Sequence, residues 1–114
     1  MNFIKFILYY VVNIKWYINM KLITKAIEKK LAKFPLYSTD GKENKEVIVK
    51  FFNPCGAGTW LVYEGEKLEN GDWEFFGSVD LGYGAELGYF RLSELQSIRL
   101  PFGLTIERDM YYAG

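Results

Sequence analysis

The chain has 114 residues and a formal net charge of zero, which fits one folded domain and gives no overall basic field of the kind that nucleic-acid-binding proteins carry. It contains one cysteine and no histidine, so an internal disulfide framework, a multi-cysteine zinc site and histidine-based catalysis are excluded within it. Half of the residues are apolar and 18% are aromatic, which is enough for one hydrophobic core.

The first nineteen residues, MNFIKFILYYVVNIKWYIN, differ in composition from the rest. Their uninterrupted apolar run covers only residues 6–12, whereas a membrane-spanning helix needs about 20 mostly apolar residues. No small-residue cleavage site of a signal peptide follows. Three interpretations stay open: a packed strand or helix, a weak membrane-surface anchor, or an extension from a spurious upstream start. We favour the last because a cleaner amphipathic pattern begins at Met20.

Residues 20–114 are expected to form a single globular domain of a cytoplasmic protein. Apolar residues recur at helical spacing over residues 22–34, and Pro35 ends this pattern. Stretches rich in β-branched and aromatic residues predict strands at 47–53, 59–64, 73–80, 87–92 and 104–112. Ser93 and Gln96 form a capping box that predicts a short helix over 93–99. This order predicts an α+β fold: a mainly antiparallel sheet of four or five strands, an N-terminal helix, and a short helix before the last strand.

Groups that could carry catalysis are few. Cys55 lies in a turn with no histidine to stabilise a thiolate, so an inert thiol is favoured. Gly56 and Gly58 lack the third glycine and the lysine of a phosphate-binding loop. No catalytic residue, metal site or cofactor is therefore predicted, and an enzyme is not favoured. The alternative is a Mg²⁺-dependent hydrolase or nuclease, whose carboxylates would have to converge on one ion. Its candidate carboxylates are Asp80, Glu86, Glu107 and Asp109.

Charge is unevenly distributed along the chain. Residues 64–94 contain eight acidic and two basic residues, a local net charge of −6, whereas residues 21–50 contain eight basic and four acidic ones. Aromatic residues of the acidic stretch are flanked by acids, which suits contact with a protein better than contact with a nucleic acid. The stretch is either a solvated surface or a surface for a basic partner. A further alternative is a single-stranded nucleic-acid-binding module resting on Trp60 and Tyr89.

Three motifs occur in order from residue 52 onwards: FNPxGxxTW at 52–60, LGxGxELGY at 81–89 and GLxIERD at 103–109. Through them, residues 20–114 resemble a small bacterial family known only as a domain of unknown function. The resemblance implies a protein carried by plasmids, phages and conjugative elements, often near anti-restriction and DNA-processing genes. Proteins of that setting include small non-catalytic inhibitors of host defence, such as anti-CRISPR proteins.

We therefore predict a non-catalytic accessory protein of mobile genetic elements that binds a host or mobile-element protein with a basic surface. Its oligomeric state is left open. The motif residues either specify the fold or form the binding surface. The candidate surface residues are Asn53, Thr59, Trp60, Glu64, Asp80, Glu86, Tyr89, Glu107, Arg108 and Asp109.

Overall fold

The structure is a computed structural model that describes residues 22–110. The extension predicted at residues 1–19 lies outside the described residues, as does the end of the strand predicted at 104–112.

The N-terminal helix, α1, spans Lys25–Leu31 and is shorter than the predicted 22–34. Thr24 sets its start, because the threonine hydroxyl accepts a hydrogen bond from the Ile27 N–H at 3.2 Å. Leu22, just before the cap, and Leu31, at the end of the helix, are both fully buried. The apolar pattern thus identified buried residues of this segment, whereas the position of the N-cap determines where the helix begins.

Five strands form one antiparallel sheet, with the spatial order β4-β3-β2-β1-β5. A second helix, α2, spans Leu92–Ser97, and a 3₁₀ turn follows at Pro101–Gly103. These elements confirm the predicted α+β fold, although the last strand is far shorter than predicted. The strands are β1 Val49–Phe52, β2 Thr59–Lys67, β3 Trp73–Asp80, β4 Ala85–Arg91 and β5 Glu107–Arg108.

The capping box predicted at Ser93 and Gln96 is wrong. Arg91 occupies the N-cap of α2 and makes no side-chain capping bond, while Ser93 already lies inside the helix. Asp72, in the turn between β2 and β3, supplies the missing acceptor. Its carboxylate accepts hydrogen bonds from the Ser93 N–H at 3.1 Å and from the Ser93 hydroxyl at 2.5 Å. A residue distant in sequence therefore replaces the local cap.

The two faces of the sheet have different surroundings. Residues paired across an antiparallel sheet point to the same side, so the strand register assigns each residue to one face. The two helices within residues 22–110 pack on the face that we call the core face, where Leu31, Leu92 and Leu95 join the buried cluster. The buried strand residues of this cluster are Val49, Phe51, Trp60, Val62, Trp73, Phe75 and Phe90.

We call the opposite side the open face, because neither helix of the described residues packs on it. Its strand residues follow from the same register. They are Lys50, Phe52, Thr59, Leu61, Glu64, Glu66, Glu74, Phe76, Ser78, Asp80, Ala85, Leu87, Tyr89, Arg91 and Glu107.

A β-bulge in the middle of β2 places one acidic residue on the open face. The register shifts between Val62 and Glu64, so the residue after the bulge does not continue on the core face as strict alternation would require. Glu64 therefore pairs with Phe76 on the open face, and Gly65 takes the core-face position opposite Phe75.

Candidate functional site

Residues 35–45, which we call the strap, connect α1 towards β1 and are fixed to the bulged half of β2. The carboxylate of Glu64 accepts a hydrogen bond from the Tyr37 N–H at 2.7 Å and another from the Thr39 N–H at 2.9 Å. The Thr39 hydroxyl donates a third, short hydrogen bond to the same carboxylate. Lys45 closes the arrangement, because its ammonium donates to the Thr39 carbonyl at 2.5 Å.

Glu64 is only 1% exposed and is held in its ionised form. Burial opposes ionisation of the carboxyl, but the hydrogen bonds from Thr39 and Tyr37, with the nearby Lys45 ammonium, outweigh it and lower the pKa of Glu64 below its usual value. The predicted surface residue Glu64 thus lies beneath the strap, where it anchors the loop and is not accessible to a partner.

Three aromatic rings lie together on the open face beside this anchor. The Phe76 and Tyr89 rings, paired across β3 and β4, are 5.0 Å apart between centroids and tilted by 52°. The strap brings the ring of Tyr37 to 6.4 Å from the Tyr89 ring. Phe76 is partly buried, whereas Tyr37 and Tyr89 are 64% and 51% exposed. The two tyrosine rings are therefore available for contact with solvent or with another molecule.

The rest of the open face continues this apolar surface and is acidic. Phe52 and Leu61 are partly buried, and Leu87 on the edge strand is 62% exposed. Among the strand residues of this face, five are acidic and two are basic, which gives a net charge of −3. One of these acids, Glu74, is paired with Arg91 at 2.9 Å. The face combines exposed aromatic and aliphatic side chains with an excess of carboxylates.

The ten residues predicted as a surface do not all share one face. The core face carries Trp60, which is buried, and also Glu86 and Arg108. Asn53 and Asp109 flank the strands β1 and β5. The remaining five lie on the open face: Thr59, Glu64, Asp80, Tyr89 and Glu107.

Several of these side chains shape turns or join strands. The Asn53 side chain accepts from the Cys55 N–H at 2.7 Å and donates to the Ala57 carbonyl at 3.1 Å, which holds the β1–β2 turn. The Asp80 carboxylate likewise accepts from the Gly82 N–H at 2.8 Å at the start of the β3–β4 turn. Such contacts favour a fold-determining role for part of the motif residues.

The carboxylates proposed for a metal-dependent enzyme are spread over the molecule. Asp80 points to the open face and Glu86 to the core face, because their strand partners are Ala85 and Val79 respectively. Asp109 pairs with Lys50 at 3.8 Å, and Glu107 lies partly buried, where burial raises the pKa of its carboxyl. Within residues 22–110, no three acidic, histidine or cysteine side chains lie close enough to hold a metal ion.

Trp60 and Tyr89, the two rings on which a nucleic-acid-binding module would rest, point to opposite faces, and Trp60 is only 8% exposed. They cannot form one stacking platform.

Sequence reasoning missed the strap as part of the site. Residues 38–46 have the polar composition of an ordinary loop, and nothing in it indicates that Tyr37 and Thr39 bind a strand carboxylate distant in sequence. One signal was present: Glu64 follows apolar residues in a segment rich in strand-forming residues, and a buried acid needs hydrogen-bond donors.

The fold and this face define a small α+β protein in which one side of the sheet carries the helices and the other presents an acidic, aromatic surface. The chain belongs to the family described as "Protein of unknown function (DUF2958)", which matches residues 22–114. This confirms the predicted resemblance to a domain of unknown function, while the association with mobile elements stays a prediction. Neither a curated protein nor a solved structure matches the chain. No helix within residues 22–110 is long and apolar enough to cross a membrane.

Proposed function

We propose that this protein acts by binding another protein through the open face of its sheet. The observation that carries the proposal is the exposure of Leu87 and Tyr89 next to partly buried Phe52, Leu61 and Phe76, on a face that neither helix within residues 22–110 covers. An exposed apolar patch of this kind is typical of a protein-interaction surface. Aromatic residues are also the ones that most often dominate binding energy at such surfaces.

The charge of the open face favours a basic partner. Its net charge of −3 would repel the phosphates of a nucleic acid and attract a surface rich in lysine and arginine. Proteins that bind nucleic acids carry such basic surfaces. Together with the sequence resemblance, this supports a more specific proposal: a cytoplasmic accessory protein of a mobile genetic element that blocks a nucleic-acid-binding protein of host defence, in the manner of an anti-CRISPR protein.

The first test is affinity capture from an extract of the host cell, with the full chain as bait and mass spectrometry as the readout. The test variant combines Leu87→Lys with Glu66→Lys, two exposed positions on the open face. The matched control combines Leu81→Lys with Glu69→Lys, an exposed leucine and an exposed glutamate in the two turns that flank β3.

The proposal expects a partner that is captured by the wild type and by the control variant, with affinity at least about tenfold weaker for the open-face variant. If both double variants capture the same proteins equally well, the open face is not the binding surface. For the host-defence proposal, the purified partner should be a basic nucleic-acid-binding protein. Its binding or cleavage of nucleic acid should stop at equimolar wild-type chain and continue with the open-face variant.

A further inference from the structure

The strap places Tyr37 beside Tyr89 of β4 on the open face, and this placement has a conformational cost. Tyr37 has φ of 73°, a left-handed backbone conformation that is unfavourable for a residue with a side chain. The hydrogen bond from its N–H to the Glu64 carboxylate, at 2.7 Å, holds this conformation. The result is a largely exposed ring beside Tyr89, where it adds little to the core.

Two carboxylates, Asp40 and Glu64, act on the hydroxyl of Tyr89. The pKa of Tyr89 is raised, chiefly by loss of solvent around its hydroxyl. The neighbouring Tyr37 raises it further, and the carboxylates of Asp40 and Glu64 have the smallest effects. Of these causes, only the two carboxylates also favour a positive group at the same place, because loss of solvent opposes a charge of either sign. The π-faces of the rings add to this effect, because an aromatic face attracts a cation within about 6 Å of its centroid.

We propose that Tyr37 and Tyr89 form a socket for one arginine side chain of the basic partner. A guanidinium group is planar, stacks on aromatic rings and donates several hydrogen bonds, so it can contact the rings, the tyrosine hydroxyls and the Asp40 carboxylate together. A lysine ammonium would be attracted by the same charges but would not stack. This inference rests on the proposed function, because it names the group by which a partner protein would be held on the open face.

The socket can be tested without the partner. The probe is the capped peptide Gly-Arg-Gly, titrated into the isotope-labelled full chain while the NMR signals of the tyrosine rings are followed. The comparison peptide replaces arginine with citrulline, which has nearly the same shape and no charge. The arginine peptide is expected to shift the Tyr37 and Tyr89 signals with a Kd on the order of millimolar. The citrulline peptide is expected to bind at least about fivefold more weakly.

Variants separate the rings from general surface effects. Tyr37→Leu and Tyr89→Leu should each weaken the binding of the arginine peptide at least about fivefold, whereas Tyr89→Phe, which retains a ring, should restore most of it. Tyr83→Leu is the matched control, because Tyr83 is 98% exposed in the β3–β4 turn, away from the strap. Retained signal dispersion in the amide spectrum identifies the variants that are still folded.

Equal shifts with both peptides would overturn the socket, as would full binding by folded Tyr37→Leu and Tyr89→Leu variants. The outcome is separate from that of the proposed function. If the captured partner binds wild type and the two leucine variants equally but loses affinity for the Leu87→Lys, Glu66→Lys variant, the socket is refuted and the open face stands. If the arginine peptide binds as expected while no partner uses the open face, the socket stands and the proposed function fails.

Discussion

Removing the carboxylate of Glu64 should release the strap and destabilise the protein by a measurable amount. Hydrogen bonds to a charged group contribute about 1.5–3 kcal/mol each, and a buried donor left without a partner costs about 1–3 kcal/mol. The hydrogen bond from the Tyr37 N–H is only partly buried, so this N–H can regain water when the carboxylate is lost. Thr39 is 2% exposed, so its N–H and hydroxyl remain unpaired unless the strap detaches. We therefore expect Glu64→Ala to lower the free energy of unfolding by about 3 kcal/mol.

Urea unfolding followed by tryptophan fluorescence measures this change, because Trp60 and Trp73 are buried in the core and report on its opening. Glu64→Gln retains the side-chain volume and one acceptor oxygen, so it should lose less, about 1–2 kcal/mol. Glu66→Ala is the matched control, since Glu66 is exposed on the same strand and the same face. Its unfolding free energy should stay within about 0.5 kcal/mol of wild type. An equally small effect of Glu64→Ala would refute the anchoring role.

The same anchor predicts a dependence on pH with a definite sign. The pKa of Glu64 is lower in the folded protein than its ordinary value of 4.5. Its ionised form therefore stabilises the fold above that value, and this stabilisation is lost as the pH falls through the lowered pKa. The difference in unfolding free energy between wild type and Glu64→Gln should be largest near neutral pH and should shrink on acidification below about 4.5. A difference that stays constant from neutral pH to pH ~3 would contradict this.

Two other substitutions examine packing and capping. Gly77→Ala should destabilise the protein by more than about 3 kcal/mol, because an added Cβ would lie 1.7 Å from the carbonyl oxygen of Leu61. Gly88→Ala, at the position paired with Gly77, should change stability little, because its added Cβ would meet no atom within 4 Å. Equal melting temperatures of the two variants, measured by circular dichroism, would show that β2 and β3 are not this close. Asp72→Ala should cost about 1–2 kcal/mol in urea unfolding, because it removes both hydrogen bonds that the carboxylate accepts from Ser93 near the start of α2. Ser93→Ala, which removes only the hydroxyl, should cost less. A larger loss for Ser93→Ala would contradict the replacement of the local cap by Asp72.

Much of the fold was predictable from local pattern, because strands and turns carry their signals in adjacent residues. The strand at Trp73–Asp80 was predicted to the residue, and the turn at Asn53 behaves as its composition indicates. The errors concern contacts between distant segments. Ser93 was predicted as the helix cap, but the acceptor at this helix end is Asp72. The last strand was predicted too long, because its length is set by its pairing with β1, which covers only Glu107 and Arg108.

The candidate site was less predictable than the fold. The acidic stretch and Tyr89 were recognised, but Glu64 and Trp60 were assigned to a surface that neither reaches. Period-two alternation cannot reveal a bulge, and the bulge between Val62 and Glu64 decides which face receives the carboxylate. Tyr37 was not foreseen, because its place beside Tyr89 depends on this long-range anchor.

Three hydrogen bonds that tie the strap to the sheet end on one side chain, and this gives the strap an opening equilibrium of its own. Breaking the bonds to Glu64 would release residues 37–39 from that carboxylate without disturbing the strand pairs. Such a segment opens at a free energy below that of global unfolding, and hydrogen exchange of its amides reports this lower opening free energy. The Tyr37 ring moves with the strap, so each opening separates it from Tyr89. Hydrogen exchange at the Thr39 amide therefore reports how often the aromatic pair is assembled, in a protein that is otherwise fully folded.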